Sequence, residues 1–278
     1  MFSLLKQIFL QILLSTTTTV RARVPTPVVV LHGLESSQQK IAPFCDWLTT
    51  TFNTTVYNIE IGNGEADSLY MPMHTQLDHL CQAIYRIDAL ASGFNFIGIS
   101  QGGLLARGYV EQCNKYPVRN LITLVAPHGG EFIQSIQLDL YTDFLQQHLS
   151  VAGYWRNPTL LPTYHKKCHF LPQLNNEIPN AAEKKHAENI RSLQNFALVW
   201  SPYDNVLHPP ESAKFSFFNE LFQIIRMEDT ELYKRDWLGL KFLNERDRLH
   251  IFQTNCSHVD HRNPVCYAQL QAILKNYI

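Results

Sequence analysis

Short, continuously apolar runs alternate with longer stretches of helical spacing along much of the chain. Such runs, bounded by proline and glycine, are typical of strands that are buried on both faces of a parallel sheet. The predicted strands are Val28–Leu31, Val56–Glu60, Phe94–Ile99, Leu121–Val125, Phe196–Trp200 and Leu249–Gln253. The predicted helices are Met73–Leu90, Gly102–Cys113 and Val265–Leu274. This alternation predicts an α/β fold with a mostly parallel central sheet flanked by helices.

One long segment interrupts the alternation. Residues 128–195 are rich in asparagine, glutamine, proline and aromatic residues, and they contain no clear strand pattern. The strand pattern returns at Phe196. We therefore interpret 128–195 as an inserted helical cap within a single domain that spans 26–278.

Size and charge narrow the class of protein. The 278 residues, 45% of them apolar, are enough for one large domain with a substantial core. The net charge of -1 leaves no basic field that could hold a phosphate backbone. We therefore expect no nucleic-acid partner.

The first residues resemble a secretory leader. Lys6 precedes the apolar run Ile8–Leu14, which is shorter than the roughly 20 residues that a membrane-spanning helix needs. We interpret residues 1–22 as a signal peptide, with an amphipathic helix that stays attached as the alternative. No later stretch is long and apolar enough to cross a bilayer, so no membrane span is expected.

The cysteines and two glycosylation sequons indicate an oxidising compartment. The six cysteines are an even number, as disulfide pairing requires, and none has zinc-ligand spacing, so no metal site is predicted. Asn53 and Asn255 each begin an Asn-x-Ser/Thr sequon and would carry glycans in the secretory route.

A nucleophile motif lies between a predicted strand and a predicted helix. Residues 98–102 read Gly-Ile-Ser-Gln-Gly and match G-x-S-x-G. The turn in this motif is sharp, and a side chain at Gly98 or Gly102 would collide with the neighbouring strand or helix. The same turn would raise the Ser100 hydroxyl above the sheet edge, so Ser100 is the predicted nucleophile of a hydrolase.

Two backbone amides are candidates for an oxyanion hole. The Gln101 N–H stands at a helix N-terminus directly after the serine. The second candidate is the Leu34 N–H, because Leu34 follows His32 and Gly33 in the loop after the first strand. We expect His32 to brace this loop.

The acid and the base follow from chain order, which in α/β-hydrolases runs Ser, then Asp or Glu, then His. Asp204 lies in the loop after the strand Phe196–Trp200, and His258 lies in the loop after Leu249–Gln253. His261 is the alternative base. The rival acids fit less well, because two lie in a charged stretch with helical spacing and one precedes the last strand; they are Asp229, Asp236 and Asp247.

With these residues placed, the chain from about Val28 to Ile278 resembles the palmitoyl-protein thioesterase family of lysosomal α/β-hydrolases. The resemblance is carried by Val-Leu-His-Gly-Leu at 30–34, Gly-Ile-Ser-Gln-Gly-Gly at 98–103, Tyr-Trp-Arg-Asn-Pro at 154–158, Asp204 with its flanks, Trp-Leu-Gly-Leu-Lys at 237–241 and Ser-His at 257–258. The stretch 227–241 and the Ser-His pair look closer to the lysosomal thioesterase branch of this family. That branch is associated with acyl-CoA-type and other S-acyl thioesters rather than with palmitoylated proteins.

The resemblance implies a function that the motifs alone do not. It implies hydrolysis of fatty acyl thioesters, such as palmitoyl-CoA or S-palmitoyl conjugates, through Ser100, Asp204 and His258, without a cofactor and in the lysosome or outside the cell. A serine triad attacks oxygen esters as well, so a secreted lipase or carboxylesterase is the alternative.

The resemblance also implies a Cys81–Cys113 disulfide and, more loosely, a Cys256–Cys266 disulfide. One departure from the family pattern is that Arg156 and Asn157 stand where relatives usually have His and Asp.

Overall fold

The computed structural model describes residues 25–278, so the signal peptide expected over 1–22 lies outside the described residues. The strands of the central sheet are β1 Val28–Leu31, β2 Val56–Ile59, β3 Phe94–Ile99, β4 Val118–Leu124, β5 Asn195–Trp200 and, after a small hairpin (β6 Phe217–Phe218 and β7 Ile224–Ile225), β8 Leu249–Gln253. The six strands lie in the order β2-β1-β3-β4-β5-β8. All neighbouring pairs are parallel, which confirms the predicted sheet type.

Helices cover both faces of this sheet. They are α1 Gln38–Phe52, α2 Glu65–Tyr70, α3 Met73–Tyr85, α4 Gln101–Gly108, α5 Asp143–His148, α6 Leu161–Lys167, α7 Leu171–Leu174, α8 Glu183–Arg191, α9 Glu231–Lys234, α10 Leu240–Asn244 and α11 Pro264–Leu274. Among residues 25–278, no helix combines the length and the apolar character needed to cross a bilayer.

The apolar run of β1 shows why the strands lack polar alternation. Val28 and Val30 point into one core, shared with α1 and α11, while Val29 and Leu31 point into the other, shared with α3 and α4. Side chains alternate across a strand, so a strand covered on both faces must be apolar at every position.

Element boundaries differ from the sequence prediction where the backbone leaves regular geometry. The predicted helix Met73–Leu90 ends at Tyr85, because Ile87 is extended (φ -107°, ψ 89°) and Leu90 is buried from a separate short turn. Strand β4 begins at Val118 rather than Leu121, because Val118 already pairs with Phe94. The helix predicted to run to Cys113 is α-helical to Gly108 and then continues as one π-helical turn.

The long connection between β4 and β5 carries α5, α6, α7 and α8, and its only described strand-like pairing is an isolated bridge between Glu131 and Trp155. A buried arginine fastens this connection to the nucleophile helix. Arg107 in α4 donates to Glu111 in the following turn, to the Leu174 carbonyl and to the Asn175 side chain. The connection is therefore packed on the helix that begins immediately after Ser100.

Candidate active site

Ser100 occupies the sharp turn between β3 and α4. Its backbone is in a strained region (φ 55°, ψ -128°), which lifts the side chain clear of the sheet. A Cβ at Gly98 would lie 2.5 Å from the Gly102 carbonyl oxygen, and a Cβ at Gly102 would lie 2.3 Å from the His32 carbonyl oxygen. Both contacts are too short for any side chain, so both motif glycines are required by backbone crowding.

The structure brings the predicted base and acid together with this serine. His258 Nε2 lies 2.9 Å from Ser100 Oγ, and His258 Nδ1 lies 2.7 Å from Asp204 Oδ2. Asp204 follows β5 and His258 follows β8, and these strands are neighbours in the sheet. The three side chains form one hydrogen-bonded line, in the arrangement that activates a serine hydroxyl.

The Asp204 carboxylate is held ionised by its neighbours. Burial by itself would raise its pKa, but the hydrogen bond and charge of His258 outweigh burial, and the N–H groups of Leu207 and Val206 add to them. Together they lower the pKa of Asp204 below its ordinary value. Both amides donate to Oδ1 at 2.9 Å, which leaves Oδ2 directed at the imidazole.

The alternative base, His261, is engaged elsewhere. It is fully buried, and its ring lies 2.8 Å from the Thr254 hydroxyl and 2.9 Å from the Ser257 carbonyl oxygen. Burial lowers the pKa of His261, which favours its neutral form. His261 therefore braces the loop that carries His258 and makes no hydrogen bond to Ser100.

Two backbone N–H groups beside Ser100 are left for a ligand. Within residues 25–278, neither the Leu34 N–H nor the Gln101 N–H donates to another group. The Gln101 side chain is fully engaged, because it donates to the Ser68 carbonyl and accepts from the Tyr154 hydroxyl. It anchors the start of α4 while its backbone N–H remains available for a developing negative oxygen.

Glycine at position 33 lets the loop with Leu34 approach the serine. A Cβ on Gly33 would lie 2.8 Å from both the Ile99 carbonyl oxygen and Ser100 Cβ. His32 fixes the loop from behind through a 2.6 Å contact between its Nε2 and Glu60 Oε1. Glu60 also accepts the Gln38 N–H at the start of α1 and thus joins the loop to that helix.

Ser100 and His258 open into a cavity of about 310 Å³. Its wall is largely apolar, and the side chains that make it so are Leu34, Pro127, Ile133, Val151, Tyr154, Val206, Leu207 and Val259. Three ionisable side chains also line it: Glu35, Glu131 and Arg262. Such a cavity suits an apolar chain that carries a few polar groups close to the reacting centre.

Other predicted residues lie away from this cavity. Two of the three rival acids form ion pairs elsewhere: Asp229 pairs with Arg226, and Asp236 pairs with Arg191. Asn53 and Asn255 are both exposed. Within 25–278, no group of three or more His, Cys, Asp or Glu side chains is placed to hold a metal ion.

The structure contains the two disulfides that the resemblance implied, Cys81–Cys113 and Cys256–Cys266. The first joins α3 to the turn after α4, and the second joins the loop before His258 to α11. Cys45 and Cys168 are free and buried.

Arg156, which stands where the resemblance leads one to expect histidine, forms a buried ion pair. Its guanidinium contacts both carboxylate oxygens of Glu177 at 2.7 Å and lies 4.0 Å from the Phe217 ring centroid. The pair fastens the β4–β5 connection internally.

Sequence reasoning gave no role to Glu60, Tyr154 or Glu131. Tyr154 and Glu131 line the cavity, and Glu60 holds the loop with Leu34 through His32. Tyr154 lies in the Tyr-Trp-Arg-Asn-Pro stretch that carries the resemblance, but the roles of all three depend on contacts between segments far apart in the chain. For Glu131 alone a weak signal existed, since it is an acidic residue inside the short stretch that follows β4.

Comparison with known proteins agrees with this architecture. The palmitoyl protein thioesterase family model matches residues 27–258. The chain is 34% identical over 248 residues to palmitoyl-protein thioesterase 3 of Dictyostelium discoideum, covering 84% of this chain and 86% of that protein. It is 29% identical over 270 residues to lysosomal thioesterase PPT2-B of Xenopus laevis, covering 91% of each.

Among solved structures, a monoacylglycerol lipase from Paleococcus ferrophilus superposes with a TM-score of 0.54 at 13% identity, covering 90% of this chain and 93% of that one. At this identity the likeness concerns the fold, which is that of an α/β-hydrolase. The family model and the relative at 34% identity together show that this chain belongs to the palmitoyl protein thioesterase family of thioester hydrolases.

Proposed function

We propose that the enzyme hydrolyses fatty acyl thioesters, such as palmitoyl-CoA or S-palmitoyl conjugates, with Ser100 as nucleophile, His258 as base and Asp204 as the group that orients it. The observation that carries this proposal is the hydrogen-bonded line from Ser100 Oγ through His258 to Asp204, in a chain of thioesterase family membership.

The reaction would proceed in two halves. His258 Nε2 takes the Ser100 proton as Oγ attacks the thioester carbonyl carbon, and the Leu34 and Gln101 N–H groups receive the negative oxygen. The carbon–sulfur bond then breaks, His258 returns the proton to the departing sulfur, and an acyl-serine remains. Water, deprotonated by His258, then attacks the acyl carbon. The bond between that carbon and Ser100 Oγ breaks, His258 returns the proton to Oγ, and the fatty acid is released.

The apolar wall of the cavity would hold the acyl chain. The residues proposed to contact it, Ile133 and Val151, both come from the β4–β5 connection. We propose that this connection acts as the cap over the acyl chain, inside one domain that spans 26–278.

A matched substrate panel tests the thioester preference. Purified protein would be assayed with palmitoyl-CoA, an S-palmitoyl peptide and p-nitrophenyl palmitate, with Ser100→Ala as the control for background hydrolysis. We expect kcat/KM to be higher for the thioesters. Faster turnover of the oxygen ester at matched chain length would favour a lipase or carboxylesterase instead.

Covalent labelling tests the nucleophile separately. A fluorophosphonate should modify the native protein at Ser100 and leave Ser100→Ala unmodified, because only an activated serine reacts at a useful rate. Failure to label the folded native protein would contradict the proposed triad.

We further propose that the protein enters the secretory route by a signal peptide at 1–22 and resides in the lysosome or outside the cell. Two disulfides and the lysosomal name of the Xenopus laevis relative support this location. Glycans at Asn53 and Asn255 would give a glycosidase-sensitive mobility shift, which the Asn53→Gln, Asn255→Gln double variant should lack. The same mobility for both proteins would argue against the secretory route.

A further inference from the structure

A buried carboxyl group that the proposed mechanism does not use lines the active-site cavity. Glu131 is 8% exposed and belongs to the same cavity wall as Ser100 and His258. Its backbone is held on both sides, because its N–H donates to the Tyr154 carbonyl and its carbonyl accepts the Arg156 N–H. The backbone from which the Glu131 side chain extends is therefore held in place.

The two carboxyl oxygens of Glu131 differ in their contacts within the described part of the chain. Oε1 accepts the His208 N–H at 3.0 Å, whereas Oε2 makes no hydrogen bond with any group in residues 25–278. Burial raises the pKa of Glu131 well above its ordinary value, and the nearby Asp204 charge raises it further. The hydrogen bond from the His208 N–H lowers this pKa but does not outweigh burial. The raised pKa favours the neutral carboxyl, which can both donate and accept a hydrogen bond.

The contacts of Glu131 place it on the side of the cavity that carries Asp204, the carboxylate in contact with His258. Asp204 Oδ1 accepts the N–H groups of Val206 and Leu207, and the next residue, His208, donates to Glu131. One short loop thus positions both the acid behind His258 and the carboxyl of Glu131. His258 must hand its proton to the departing sulfur, so the thiol leaves beside His258, and Glu131 lies close to the Asp204 carboxylate that contacts His258 from the other side.

We propose that Glu131 is a specificity-determining residue that hydrogen-bonds the amide group of the substrate's thiol half. This inference rests on the proposed thioesterase function. In a peptide cysteine and in pantetheine alike, a two-carbon unit separates the sulfur from an amide nitrogen, so one hydrogen-bonding group at a fixed distance from the sulfur serves both. The remaining wall on this side, with Tyr154 and Leu207, is mainly apolar and makes the amide contact selective.

Two thioesters of equal size test the contact. S-octanoyl-N-acetylcysteamine carries the amide, whereas S-octanoyl-pentanethiol replaces it with methylenes. The native enzyme should prefer the amide compound about fivefold in kcat/KM, the factor that one neutral hydrogen bond contributes.

Two substitutions at the same position separate hydrogen bonding from charge. Glu131→Gln keeps an oxygen for the His208 N–H and a polar group for the substrate, so it should retain the preference. Glu131→Leu removes both and should bring the kcat/KM ratio close to one. General damage to the triad would slow both thioesters alike and leave the ratio intact. Glu231→Gln, which alters an exposed acid outside this cavity, is the matched control and should keep the native ratio.

The outcomes discriminate clearly. An unchanged ratio in Glu131→Leu would overturn the inference, and so would loss of the preference in Glu131→Gln, since a neutral hydrogen-bonding group would then not suffice. Failure of the proposed function would instead appear as native protein that hydrolyses neither thioester, and it would overturn this inference with it.

Discussion

Asp204 Oδ2 lies 2.7 Å from His258 Nδ1, while the other oxygen of the same carboxylate accepts two backbone N–H groups. The carboxylate is therefore fixed at both ends, and the imidazole is held with Nδ1–H toward Asp204 and Nε2 toward Ser100.

Asp204→Asn should lower kcat by about 10⁴-fold with little change in KM, because an amide can donate to Nδ1 and then favours the wrong imidazole tautomer. The check is kcat and KM with palmitoyl-CoA, together with the rate of fluorophosphonate labelling. Asp229→Asn alters an exposed acid paired with Arg226 and serves as the control. An Asp204→Asn enzyme within tenfold of native kcat would contradict the orienting role.

Gly33→Ala should lower kcat by about 10²-fold, the effect of losing one oxyanion donor. The new Cβ would lie 2.8 Å from the Ile99 carbonyl oxygen, so the loop must shift and carry the Leu34 N–H away from Ser100. Gly108→Ala is the control, because its closest new contact is with the flexible end of Leu77. Equal kcat for both variants would show that the Leu34 N–H is not an oxyanion donor.

Glu177→Gln should destabilise the protein by about 3–5 kcal/mol near neutral pH, because it leaves the buried Arg156 charge without its counter-ion. The side chains of this pair are only 7% and 6% exposed. Glu231→Gln breaks an exposed pair with Arg235 and should change stability by less than about 1 kcal/mol.

The same pair predicts a pH dependence. Burial opposes ionisation of Glu177, but Arg156 outweighs burial and lowers the pKa of Glu177 to about 2. Its stabilisation is thus complete above the unfolded-state pKa of about 4.3 and is lost as the pH falls toward 2. Urea unfolding of native and Glu177→Gln protein at pH 7, 4.5 and 2.5 should show a difference that shrinks only at the lowest pH. A difference that is constant with pH would count against the ion pair.

Removing the Cys81–Cys113 disulfide should destabilise the fold by about 3–4 kcal/mol, since the bond closes a loop with a sequence separation of 32 residues. Removing Cys256–Cys266, with a separation of 10, should cost less, about 3 kcal/mol. The check is urea unfolding of the Cys81→Ala, Cys113→Ala and Cys256→Ala, Cys266→Ala double variants. Cys168→Ala, which alters a free cysteine, controls for thiol loss itself, and a larger cost for the shorter loop would contradict the loop-entropy argument.

Much of the fold could be predicted from the sequence because it depends on residues close together in the chain. The run Val28–Leu31 is apolar at every position, which only a doubly covered strand requires, and the structure contains that strand with the same limits. The end of α3 could not be placed, because Leu90 continues the helical spacing while Ile87 leaves helical geometry to bury it.

By itself, the sequence determined the sheet type and the candidate nucleophile, base and acid, because buried strands and the G-x-S-x-G turn impose local requirements on residue type and order. Only the tertiary structure decided that Glu131 lines the cavity of Ser100 and that Arg156 forms an ion pair with Glu177. These contacts join side chains from segments that are distant in the chain. Burial of a polar group depends on all the segments that pack around it, so the sequence next to that group does not predict it.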